Sequence, residues 1–275
     1  MPELQFDIYG KTAVRLTYVD RTNARHEVRE LNVNIFFEGE FADSYLTGSN
    51  SSVLPTDTIK NTVYVLAKQL RWADIETFGR GITGHFLSRV PHLNQVTVRI
   101  EQVPWERIGE HPAAFRQPGA ERRTAEIIAT RSGRQFKSGM RDMQVLKTAN
   151  SAFAGFMKDE WTTLGETDDR LFGTVVSADW TYSRVDIDFN ATFAQIREAL
   201  IERFASHQSL SVQQTLFAMA EAVLSTCPAV HEIHLRLPNK HCLLVDLGRF
   251  GIENPNQIFV PIDEPSGYIE ARVTR

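Results

Sequence analysis

The feature that most constrains this chain is the order in which its hydrophobic period changes, because that order occurs twice. Residues 4–19 and 27–41 read as long strands joined by the turn "VDRTNARHE". In the second, Leu31, Val33, Ile35 and Phe37 alternate with Asn32 and Asn34, the pattern of a sheet with one buried face. After a polar loop over 42–55, "TDTIKNTVYVLAKQLRWADIETF" (56–78) sets Ile59, Val63, Leu66 and Leu70 on one helical stripe, and a second helical stretch runs to about Val90. "NQVTVRIEQVPW" and "TAEIIATRS" return to strands. The second half repeats the order: strands in "DMQVLKT" and "LFGTVVSADWTYSRVDIDF", helices in "TFAQIREALIERFASH" and "SVQQTLFAMAEAVLST", strands in "HEIHLRL" and "QIFVPI". The expectation is an α+β chain of two tandem ββααββ units, residues 1–137 and 138–275, joined near "SGRQFKSGM" (132–140). Each unit would have a wide antiparallel sheet and two helices to cover it. Uncovered edges invite association, so closure into an oligomeric barrel is expected.

Composition excludes several classes. A chain of 275 residues with 42% hydrophobic and 23% charged residues has the balance of a soluble globular protein. A net charge of −4 spread along it lacks the concentrated basic field of non-specific nucleic-acid binding. No apolar run approaches the roughly 20 residues of a membrane helix. Cys227 and Cys242 stand in different contexts and imply neither a disulfide framework nor a thiolate metal site. "MPELQFDIYGK" does not resemble a secretory signal and "EARVTR" does not resemble a peroxisomal address, so a cytoplasmic location is expected.

Several short motifs bear on chemistry. "GRGITG" (79–84) fits GxGxxG literally but follows a helical segment, so a turn between helices is expected rather than a phosphate cradle. His231 and His234 in "HEIH" are three apart on a strand and face opposite ways, and no third zinc ligand stands at usable spacing. In "LPNKHCLLVD" (237–246), Asn239 and His241 share a face if the backbone is extended, with Lys240 and Cys242 on the other. That geometry separates Cys242 from His241 as nucleophile and base. Ser211 with Gln214 fits a capping box, leaving first-turn amides at Val212 and Gln213 free to receive an anion or oxygen. Asp57, after Pro55-Thr56, stands at a second helix start, and capping accounts for it equally well. Lys11 follows Gly10 in a strand, where glycine marks close approach of another group; buried, such a lysine becomes competent as a base.

One stretch ties these together. "VLKTANSAFAGFMKDEWTTLGETDDR" (145–170) resembles the signature region of the urate oxidase (uricase) family, and "YGKTAVR", "TDTIKNT", "SVQQTLF" and "LPNKH" resemble that family's other blocks in order. "NPNQIFVPIDEPSGYIEARV" is similar as well. The departures are Ala149 for a usual Ser or Thr, Trp161 for Phe or Tyr, and Ala154 for a common large aromatic.

The resemblance implies tandem T-fold (tunnelling-fold) units in a homotetramer with active sites at subunit interfaces, acting on urate and O₂ without cofactor or metal. It implies Lys11, Thr56 and Asp57 from one subunit, and Phe153, Arg170, Val212, Gln213, Asn239 and His241 from its neighbour. Lys11, Thr56 and His241 would carry a proton relay, with Asn239 facing oxygen. Phe153 would stack on the purine, while Arg170, Gln213 and the Val212 amide hold one edge and Thr56 with Asp57 the other. The alternatives are a zinc-dependent T-fold enzyme acting on a pterin or purine-like ring, which needs three metal ligands, and a purine-binding protein without chemistry.

Overall fold

The computed structural model describes residues 2–275, which divide into two compact units, one ending at Gly139 and the other Met140–Arg275. The division falls inside a strand, β7 (Arg134–Lys147). The division lies within "SGRQFKSGM", where the joint is expected, but the stretch is mostly strand. Phe136, Ser138 and Met140 alternate along it and are buried.

In the first unit, β1 (Tyr9–Asp20), β2 (Glu27–Gly39), β3 (Leu93–Val103) and β6 (Arg122–Thr130) pair antiparallel in that order. The predicted alternation in β2 is present: Leu31, Val33, Ile35 and Phe37 are all buried. A short helix α1 (Ala42–Leu46) and a small ribbon of β4 (Glu106–Arg107) and β5 (Phe115–Arg116) lie in the connections. Helices α2 (Thr56–Gln69) and α3 (Ile75–Arg89) bury Ile59, Val63 and Leu66, and Ile75, Phe78, Ile82 and Phe86. The long helix expected over 56–78 is thus two helices. Leu70 is extended, and the Asp74 carboxylate accepts from the Thr77 N–H at 2.6 Å, starting a new helix. Trp72 fills the break by stacking on Phe78.

"GRGITG" lies inside α3 and is not a turn. A Cβ on Gly79 would sit 2.5 Å from Ile127 Cδ1, and one on Gly81 2.4 Å from Leu70 Cδ1. These glycines let α3 approach its neighbours closely, an advantage that outweighs their helix penalty of about 1 kcal/mol each.

In the second unit, β8 (Phe172–Tyr182) pairs antiparallel with both β9 (Val230–Arg236) and β10 (Asn239–Leu244). β12 (Glu270–Thr274) extends the ladder from β9, and β11 (Phe259–Gly267) from β10. Helices α4 (Phe189–Ser206) and α5 (Val212–Thr226) cover a core that includes Trp180, Ile196, Leu200, Phe204, Leu216, Met219 and Val223. Among the described residues no helix is long and apolar enough to cross a membrane.

Candidate active site

The second unit builds the more enclosed group. Its scaffold is a hydrogen-bonded junction of three segments that are distant in sequence. Ser209 N–H donates to the Asn150 carbonyl at 3.0 Å, and Ala152 N–H donates back to Ser209 at 2.7 Å. Arg170 N–H donates to Ser151 at 2.7 Å, while Phe153 and Thr167 exchange bonds of 2.8 and 3.0 Å. Asn150 takes a positive φ of 60° to make this turn, a conformation asparagine tolerates better than most residues. Phe153 and Arg170 are thereby held together, the guanidinium carbon 5.0 Å from the ring centroid. Phe156 stacks on Phe153 at 4.9 Å.

The same junction leads into α5. Ser211 Oγ accepts from Gln214 N–H at 3.1 Å, and Gln214 Oε1 accepts in return from Leu210 N–H at 2.9 Å. This is the expected capping box with its return bond one residue upstream. Val212 is buried and Gln213 exposed at the helix start, where first-turn amides have no intrahelical acceptor.

Arg170 Nε and Ser151 Oγ are buried without a hydrogen-bond partner, and burial pushes the Arg170 guanidinium below its usual pKa. Arginine stays charged regardless. Leaving such a donor unmet costs about 1–3 kcal/mol, a cost an acceptor-rich ligand would remove. The ring face of Phe153, the fork of Arg170 and the amides of α5 together suit a flat anion with carbonyl and ring-nitrogen acceptors.

Asn239 and His241 lie on β10, half-buried. Asn239 pairs with Thr174, four residues after Arg170, and its Cβ lies against Gly267. Lys240, His241 and Cys242 all border one cavity of about 300 Å³, with Thr174, Gly173 and Ile262 among its walls. Alternation therefore does not separate the three as expected, because the β10–β11 register slips between Asn239 and His241.

Lys11, Thr56 and Asp57 belong to the first unit. Lys11 is half-buried at a bulge in β1 that spans Lys11 to Val14. A Cβ on Gly10 would fall 1.9 Å from the Ile35 carbonyl oxygen, so the close approach expected of Gly10 is to backbone. The bulge puts Ala13 at φ 56°, and the Asn34 side chain supports it by accepting from Ala13 N–H at 2.8 Å. Bulges of this kind re-aim a side chain, and Asn34 had read only as the polar half of an alternation. Thr56 opens α2 and Asp57 follows, both exposed. Asp57 is not the cap; Pro55 occupies that position without a side-chain bond. The carboxylate instead accepts from Lys60 Nζ at 2.5 Å and Asn61 at 2.9 Å. Those bonds, Lys60 first, hold its pKa below the ordinary carboxylate range, with a smaller contribution from the charge of Lys11. Lys11 and Asp57 thus belong to one electrostatic neighbourhood.

Among the described residues no three His, Cys, Asp or Glu side chains converge as a metal site. His234 is engaged by the Glu270 carboxylate. Cys227 is buried, which raises its thiol pKa.

Antiparallel ββααββ units in tandem define an α+β chain of the T-fold class. The uricase family model matches residues 8–128 and 136–270. A curated uricase of Arthrobacter globiformis is 42% identical over 97% of this chain and 88% of its own length. One of Dictyostelium discoideum is 39% identical, covering 97% and 96%. The crystal structure of the Arthrobacter globiformis uricase superposes with a TM-score of 0.97 at 41% identity, over 100% of this chain and 96% of that one. The urate oxidase of Bacillus sp. TB-90, crystallised without chloride, shares the fold at 22% identity and a TM-score of 0.85, over 98% and 100% of the two chains. The chain belongs to the uricase family.

Proposed function

We propose that this protein is a urate oxidase that converts urate, O₂ and water to 5-hydroxyisourate and H₂O₂ without a cofactor. Family membership supports the activity. The structural observation that carries the reading is the half-buried Arg170, its Nε buried without a partner, over the Phe153 ring. Urate is a flat anionic purine trione: Phe153 stacks on it, Arg170 donates a planar fork to adjacent acceptors, and Gln213 offers both donor and acceptor to the amide-like edge. The Val212 amide completes that edge, while Thr56 and Asp57 meet the opposite one.

In the proposed chemistry Lys11 draws a proton from urate through the Thr56 hydroxyl, and His241 positions the lysine. The urate dianion passes two electrons to O₂ held near Asn239 and Thr56. The reduced oxygen takes up the relayed proton and one from solvent and leaves as H₂O₂, and water adds at the oxidised ring carbon. Lys11, Thr56 and Asp57 of one copy would face the second-unit group of another, so the assembly proposed is a homotetramer. The unpaired cysteines accord with a reducing, cytoplasmic setting.

The test is ultraviolet loss of urate in air, with a chelator present and an oxygen electrode running. Oxygen-coupled loss unaffected by chelator is expected. No loss overturns the proposal, and loss abolished by chelator turns it toward the zinc enzyme. Urate bound without oxygen uptake turns it toward a binding protein.

A further inference from the structure

The second unit holds a buried cation to which the proposed chemistry gives no role. Lys147, the last residue of β7, is 7% exposed, and among the described residues no carboxylate pairs with it. Its ammonium donates to the main-chain carbonyl of His207, the residue that caps α4, and lies 5.9 Å from the Phe204 ring centroid. The C-terminal end of a helix attracts a cation. A single carbonyl nevertheless offsets only part of what an ammonium loses on leaving water. As a stability device the arrangement is poor, since an apolar side chain of the same length would fill the site without that loss.

What Lys147 holds leads straight into the purine clamp. From His207 the chain runs through Ser209, which exchanges hydrogen bonds with Asn150 and Ala152, to the Ser211 cap of α5. Thr215 Oγ1 ties that turn to α5 through Ser209 Oγ at 2.8 Å. Phe153 and Arg170 hang from the same layer through Ala152 and Ser151. Three buried polar atoms without partners, Ser151 Oγ, Arg170 Nε and His207 Nε2, also lie in it. Burial and the neighbouring Lys147 lower the His207 pKa, so a second positive charge is disfavoured beside the lysine. An acid hydrogen-bonded into the layer, Asp169, accepts from Ser151 N–H at 3.3 Å but is exposed, where solvent screens it.

We infer that Lys147 is a positioning residue of the clamp: it fixes the His207–Ser211 turn against Asn150–Phe153 and leaves an un-neutralised positive charge that favours purine anions over neutral purines of the same shape. This rests on the clamp being the urate site.

The test is anaerobic binding calorimetry on the intact protein, which needs no turnover, at one pH where urate is a monoanion and xanthine is uncharged. Lys147→Gln keeps a donor for the His207 carbonyl and removes the charge; Lys147→Met removes both; Lys147→Arg keeps both. Gln and Met are expected to weaken urate by about tenfold and xanthine by less than about twofold, the scale of one partly screened charge, with Arg retaining the wild-type ratio. An unchanged urate-to-xanthine ratio in Lys147→Gln, or equal weakening of both purines, overturns the inference. So does failure of both neutral variants to fold, which would make the lysine a structural cap. Wild-type protein that binds neither purine overturns the functional proposal itself, and urate binding without oxidation overturns only its chemistry.

Discussion

The two groups of candidate site residues differ in how their polar atoms are satisfied. In the first unit Asp57 is exposed and already bonded to Lys60 and Asn61, and Thr56 stands open at the start of α2. In the second unit Phe153, Arg170 and the α5 start sit on a rigid junction whose buried Ser151 Oγ and Arg170 Nε meet nothing. Water and neighbours serve the first group, whereas in the proposed reading a ligand serves the second. Binding energy is therefore expected to come from the second unit. In the same proposal the first unit would supply reactive groups, whose dry surroundings would arise on assembly at the proposed interface between copies.

The sharpest way to break this division is Lys11→Met. If the first unit does chemistry and little binding, kcat falls by about 10²–10⁴, while the urate KM changes far less. Steady-state kinetics separates the two; a raised KM with unchanged kcat would reverse the assignment. Next in size is Arg170→Lys, which keeps a charge but loses the fork. The urate KM should rise about 10–100-fold, the worth of a lost charge-assisted bidentate contact. Thermal unfolding of the free protein should hardly move, because Arg170 Nε has no partner to lose. A large drop in stability would mean that the guanidinium is structural.

The sequence revealed these groups unevenly. The Ser211 cap and the alternation in β2 were legible because each is settled within a few residues. The strand over "SGRQFKSGM" and the helix over "GRGITG" were not; in the helix the glycines answer to tertiary neighbours, Gly79 meeting Ile127 and Gly81 meeting Leu70. The β1 bulge was equally hidden, because Ala13 holds a positive φ only with the help of Asn34, 21 residues away. Lys147 ends an ordinary-looking strand, and nothing local tells that it is buried. The site residues themselves were named through resemblance between blocks; spacing alone established no more than which of them could share a face or a helix start.

Smaller effects sharpen the contrast. Ser211→Ala removes the oxygen that accepts from Gln214 N–H and should cost about 1 kcal/mol of stability in denaturant titration. Because the cap also orients the Val212 amide, the urate KM should rise with it. A stability loss with unaltered KM would detach the α5 start from binding.

The smallest effect expected is the pH dependence of Asp57. Its folded pKa is depressed, chiefly by the hydrogen bond from Lys60, so the folded state favours the ionised form more than the unfolded chain does. The resulting stabilisation is fully present above the unfolded carboxylate value of about 3.9 and is lost as pH falls through the lower folded value. Asp57→Asn removes that linkage. Stability curves of wild type and variant, measured by urea titration, should differ slightly at neutral pH and converge in acid. The difference should be small because the pair is exposed and solvent screens it, and added salt should shrink it further. A difference that survives high salt and persists in acid would show Asp57 in an enclosed setting within a single chain. The contrast between an open first-unit group and a closed second-unit clamp would then fail at its most exposed member.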